Sequence, residues 1–297
     1  MITPMGLRLV EAGDAPVMSE HRRVLELIDA VSLERHGPAG VGVWLGDHRA
    51  EVVATIRACD QDGAREQGTR LAAAVWPSAA LVRDPRWWEE LAGVGEALAV
   101  ADRDPRRLAE LLHSAAATFA AHGDRLRAEE RWVRALAVVR RDGDRVRHEA
   151  VLGGLGDLYR GWGRLSKALD AYLGLVDLRR DLDDPARLAE AYVAVATTMH
   201  DAGRLRSATD YFDRADEVLT EVEAPVTHAG VLVWCGRTRW EQGEHGAARR
   251  RWSRALAMLV DVDEDTADRV RALLATGQDE RPPYWSNTAS SPSGGVG

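Results

Sequence analysis

Lysine is almost missing from this chain: Lys167 is the only one among 39 basic residues. Basic charge is also in the minority, with 39 Lys and Arg against 47 Asp and Glu and a net charge of −8. A general nucleic-acid binder needs a basic face to displace counterions, so that class is excluded for the chain as a whole, a local patch aside. Cysteine is scarce too. Cys59 and Cys235 cannot make a disulfide framework, and each reads as a buried thiol in a reducing cytoplasm. No apolar run approaches 18 residues and residues 1–16 lack a signal-peptide pattern, so a cytoplasmic protein without a membrane span is expected. The motifs of the commoner chemistries are absent. There is no G-x-x-x-x-G-K-[ST], no G-x-G-x-x-G, no C-x-x-C and no H-E-x-x-H, and His148-Glu149 has no second histidine four residues after the first. The expectation is no cofactor, no metal and no catalysis. Acidic pairs such as Glu89-Glu90, Glu129-Glu130 and Asp183-Asp184 read as solvated helix faces and caps. The short basic run Arg249-Arg250-Arg251 reads as a solvated face as well.

What the chain has is a period. Ala128, Ala168, Ala208 and Ala248 stand 40 residues apart, in step with Gly123, Gly163, Gly203 and Gly243 and with Trp132, Tyr172, Phe212 and Trp252. A period of this length marks a repeat architecture. Counting each repeat from Ala109, Glu149, Ala189 and Ala229 as position 1, position 8 is Ala116, Gly156, Ala196 or Gly236, always small. Position 20 is the alanine series. Two antiparallel helices that cross closely need small residues at both contact points, which positions 8 and 20 supply. The glycine at position 15 suits a left-handed helix cap, and the aromatic at position 24 is expected to fill the wedge toward the next repeat. Asp104-Pro105, Asp144-Arg145, Asp184-Pro185 and Ala224-Pro225 open the repeats in register.

The rule fails upstream, where 40 residues before Ala128 stands Trp88. Residues 19–103 therefore form an N-terminal helical region. It should hold a helix from Ser19 to Gly37-Pro38, a Gly-rich turn to Gly42, a helix from about His48, and helices over 64–76 and 86–100. Residues 104–276 form four repeats, with Glu264–Thr276 as a capping helix. Residues 1–18 and the Gly/Ser/Pro-rich 277–297 are expected to be disordered.

These residues resemble the tetratricopeptide repeat, whose pattern is large at 4, small at 8, large at 11, small at 20, aromatic at 24 and small at 27. Position 11 here is Phe119, Tyr159, Met199 or Arg239, and position 27 is Ala135, Leu175, Ala215 or Ala255. The match covers about residues 105–256. It departs in period (40, not 34), in Arg239 and Leu175, and in prolines moved to position 37, which should lengthen each second helix. The resemblance implies an all-α, right-handed solenoid of antiparallel helix pairs. The stretches WLGDHRAEVVATIRAC, LAAAVWP and WWEEL are similar to the segment preceding the repeats in actinobacterial regulators of the signal-transducing ATPase type. The chain thus resembles the sensor arm of such a regulator without its ATPase and DNA-binding modules.

In such stacks positions 5, 9, 12 and 13 of the first helices point into the concave groove. Here those include His113, Asp157, Arg160, Thr197, His200, Asp201, Arg237 and Trp240. Arginine can fix a carboxylate through paired hydrogen bonds and tryptophan can anchor a desolvated contact, so a protein or peptide partner is expected, in a regulatory or biosynthetic pathway. The Lys/Asn clamp for C-terminal acidic peptides is absent from positions 5 and 9. A second reading is a small-molecule-responsive regulator or atypical enzyme. Its pocket would lie between the N-terminal helices and the first repeats, near Trp76, Trp87 and Trp88. A third is self-assembly into homo-oligomers through exposed solenoid ends.

Overall fold

The first described helix departs at once from the sequence expectation. A computed structural model describes residues 23–24, 26–29, 33–182, 184–220 and 222–276; the expected disordered ends lie outside these, as do residues 19–22, 25 and 30–32 of the helix expected from Ser19, whose described residues 23–24 and 26–29 are helical. Helix α1, Leu33–Gln61, is broken at Gly37 (φ 64°, ψ 168°) and runs unbroken from Pro38. The turn through Gly42 therefore does not exist, and the helix begins ten residues before His48. Packing overrides glycine's poor helix propensity here. Val41 and Leu45 are fully buried, and a Cβ at Gly42 would lie 3.2 Å from that of Leu81.

Helices α2 (Arg65–Ala79) and α3 (Pro85–Ala101) follow. The Asp84 carboxylate caps α3 by accepting from the Arg86 and Trp87 amides at 3.1 and 3.2 Å. The repeats then give four hairpins: α4 (Pro105–Ala121) with α5 (Arg125–Asp142), α6 (Arg145–Gly161) with α7 (Leu165–Arg180), α8 (Pro185–Asp201) with α9 (Leu205–Leu219), and α10 (Pro225–Glu241) with α11 (His245–Leu259). Helix α12, Glu264–Thr276, packs on α11 and covers its core with Ala267, Val270 and Leu273. Every regular element among the described residues is α-helix. First helices have 17 residues each and second helices 15 to 18; α7 and α9, which precede the displaced Pro185 and Pro225, have 16 and 15, and the longest, α5, precedes no such proline.

Each hairpin turn is built alike. Gly123, Gly163, Gly203 and Gly243 have φ between 70° and 83°. The next residue's amide reaches back to the carbonyl of position 11 at 2.8–2.9 Å in all four repeats. That pair of features is a Schellman cap. Arg103 makes the same turn before α4 without glycine, at φ 56°.

The four alanines of position 20 are fully buried, and where position 8 is glycine the aromatic of position 24 lies on it. A Cβ at Gly156 would fall 2.3 Å from the Tyr172 ring, and one at Gly236 2.4 Å from Trp252 Nε1. The ring therefore closes its own crossing, and only Phe212 also stacks on the following repeat, at 6.3 Å from Trp234. Where position 11 is aromatic, a basic residue of the second helix covers it: Arg131 over Phe119 and Lys167 over Tyr159. Arg239, which breaks the apolar rule there, instead pairs with Asp213 and Glu244 at 2.7 and 2.9 Å.

The chain divides into two compact units, Met1–Gly143 and Asp144–Gly297. The first repeat hairpin thus belongs with the N-terminal helices: α4 packs on both α2 and α3. In that unit Arg131 is buried, donating to Glu89 at 2.7 Å and lying 3.3 Å from Glu96. In the second unit α6–α12 stack in order.

Candidate functional site

Within the second unit, positions 9, 12 and 13 are spaced i, i+3 and i+4 and so share one face of each first helix. The structure links those faces by one repeated contact. Position 12 of one repeat reaches position 13 of the next. Arg160 of α6 donates through Nε to Asp201 of α8 at 2.7 Å. His200 of α8 has its Nε2 3.0 Å from the Glu241 carboxylate of α10. Arg237 then returns to Glu241 at 3.6 Å and lies 5.7 Å over the Trp234 ring, whose edge also meets His200. At the other end the Tyr172 hydroxyl donates to Asp157 at 2.5 Å. The result is a continuous polar strip across three first helices.

Two kinds of environment meet on Asp157. Its surface is open to solvent, yet burial among neighbouring groups raises its carboxyl above the ordinary 3.8, against the pull of the Tyr172 hydroxyl and Arg160. The same burial, together with the Asp157 charge, pushes the Tyr172 hydroxyl well up, so it stays a hydrogen-bond donor.

Five of the eight expected residues stand on this strip: Asp157, Arg160, His200, Asp201 and Arg237. The other three are placed differently. The Thr197 side chain is buried and its hydroxyl is used within α8, donating to the Val193 or Ala194 carbonyl. Trp240 packs into the core of the last hairpin, 5.4 Å from Trp252 and 4.1 Å from His245. His113 lies in the first unit, where it accepts from Trp132 Nε1 at 3.1 Å, and burial lowers its pKa below 6.5. Glu241 is the strip residue that sequence reasoning missed. Its signal was available: an acid at position 13, one repeat after a basic residue at position 12.

The region of the second reading is built otherwise than expected. Trp76 and Trp88 are fully buried; Trp88 Nε1 donates to the Ala79 carbonyl at 2.9 Å. Trp87 edges a hollow of about 360 Å³ between α1 and α3. Its wall combines charged side chains with Trp87 and Ala50, and Arg49 and Asp84 there pair with each other at 2.6 Å. Both cysteines are buried and free. Burial and the nearby Asp213 push the Cys235 thiol up to about 11, which leaves it a poor nucleophile. Among the described residues no cluster of His, Cys, Asp or Glu could hold a metal ion, and no helix is long and apolar enough to cross a membrane.

No family profile and no curated protein sequence matches the chain. Solved structures do. A signal transduction ATPase with numerous domains, carrying a tetratricopeptide repeat sensor, from Pyrococcus horikoshii aligns with TM-score 0.51 and 11% identity over 86% of this chain. The aligned part is 45% of that protein, so this chain spans less than half its length. BtubC from P. vanneervenii aligns with TM-score 0.49 and 16% identity over 91% of this chain and 96% of that one. PilF from Pseudomonas aeruginosa aligns with TM-score 0.42 and 16% identity over 77% and 90%. The likeness to the ATPase is one of fold: an all-α solenoid of tetratricopeptide-like helix pairs.

Proposed function

We propose that this protein is a non-catalytic scaffold that binds a segment of another protein along the first-helix face of α6, α8 and α10. The observation behind the reading is the strip itself: the Arg160–Asp201 ion pair, His200 beside Glu241 at the same two repeat positions, and Arg237 closing on Glu241 over Trp234. Its charged groups are half-exposed, and exposed ion pairs contribute only about 0–1 kcal/mol each. A partner's carboxylates can therefore replace Asp201 or Glu241 on the two guanidiniums at little cost. The missing position 5 and 9 clamp favours an internal acidic segment over a free C-terminus. A place in bacterial regulation or a biosynthetic pathway belongs to the same proposal and leans on the sequence resemblance of residues 44–91.

The test is a peptide display selection against the full chain, with affinities of the winners then measured for Arg160→Ala/Arg237→Ala. Loss of charge-assisted bonds at each arginine should weaken binding by about tenfold or more, with helicity and melting unchanged. Winners that bind the double variant as well as the parent would refute the assignment.

A further inference from the structure

The basic run Arg249-Arg250-Arg251 is not merely a solvated face. Two turns of α11 bring Ala247, Arg250, Arg251 and Arg254 to one side of the helix, and with Arg239 of α10 they line a cavity of about 350 Å³. Three of its four guanidiniums are held from behind. Arg239 donates to Asp213 at 2.7 Å and to Glu244 at 2.9 Å. Arg251 donates to Asp213 at 2.7 Å and to Asp216. Arg254 donates to Asp216 at 3.0 Å. The fourth, Arg250, is exposed and has no partner among the described residues, and its Nη1 lies near the bare backbone of Gly246. Arg239 also lies against the buried Cys235 thiol and hydrogen-bonds with it.

Four guanidiniums thus face three carboxylates, Asp213, Asp216 and Glu244, leaving one positive charge over at the cavity. The carboxylates fix three arginine forks and offset their charge, leaving Arg250 as the uncompensated cation of a preorganised donor set. Forks approaching from α10 and from α11 suit a ligand with oxygens in several directions, a tetrahedral dianion more than a planar carboxylate. The cavity exceeds one such group and has room beside Ala247 for part of what bears it. We propose that the hollow between α10 and α11 binds a phosphomonoester dianion. The site is separate from the first-helix strip and does not depend on the function assigned to that strip.

The test is thermal unfolding and calorimetry of the full chain with inorganic phosphate, O-phosphoserine and serine, at ionic strength matched with sodium chloride. A ligand of the native state raises the melting temperature in a saturable way. Phosphate and O-phosphoserine should do so, and serine and chloride should not. Arg250→Gln should leave melting in chloride unchanged and weaken phosphate binding about tenfold. Arg249→Gln carries the same charge change, but Arg249 lies over Trp240 outside the cavity, and it should bind like the parent. Tighter binding of O-phosphoserine within a tripeptide would identify a phosphorylated side chain as the natural source, and equal binding a small phosphomonoester. No saturable response to phosphate, or equal weakening in both variants, would overturn the proposal.

Discussion

Gly236 and Trp252 are fitted to each other. The indole sinks far enough onto the glycine for Nε1 to reach the backbone carbonyl of Val233 at 3.2 Å, and the ring is fully buried. In the first repeat Ala116 occupies the same position, and Trp132 meets the side chain of position 5, His113, at 3.1 Å instead. The choice between Gly and Ala at position 8 accompanies the choice of polar partner for the ring. Sequence pattern shows "small" and "aromatic" at these positions but not the depth of the ring, because depth is set by contacts 16 residues apart. Gly236→Ala would place a Cβ 2.4 Å from Nε1 and 2.6 Å from Cδ1 of Trp252. Overpacking of this kind costs about 1–3 kcal/mol. Denaturant unfolding should show that loss in the parent and a much smaller one in a Trp252→Leu background. Additive losses would mean that the two residues are not coupled.

Three helices meet on one carboxylate. Asp216 of α9 receives the His228 ring from α10 at 2.6 Å, and Arg251 and Arg254 from α11. Burial by itself would raise its carboxyl; the His228 hydrogen bond and the two guanidiniums outweigh that and hold it below 3.8. A carboxyl lowered on folding stabilises the native state above its unfolded value, and the stabilisation is lost as pH falls through the native value. The stability of the chain should therefore drop as pH is taken below about 4, and Asp216→Asn should flatten part of that drop while costing about 3 kcal/mol at neutral pH. Equal acid sensitivity of parent and variant would count against the linkage. Such ties explain what was legible and what was not. Helix starts at Asp84, Asp104, Asp144 and Asp184 and stops at the four glycines are local signals. The early start of α1 and the ion pairs of Arg239 and Asp216 depend on residues from other helices, and one sequence does not show those meetings.

Within the whole chain, the second compact unit carries both candidate sites: the strip on its first helices and the arginine-lined cavity between α10 and α11. Periodicity revealed the repeats, and the resemblance to tetratricopeptide stacks pointed to five residues of the proposed strip. It did not reveal that the first hairpin joins the N-terminal helices, because α4 keeps the repeat pattern while packing on α2 and α3. The most direct measurement is backbone hydrogen exchange over the full chain with and without a display-selected peptide. Exchange reports local opening segment by segment. Protection is predicted in the second halves of α6, α8 and α10, around Arg160, His200 and Arg237, with little change in α7, α9 and α11. Protection centred on the second helices, or confined to the first unit, would contradict the assignment of the binding face.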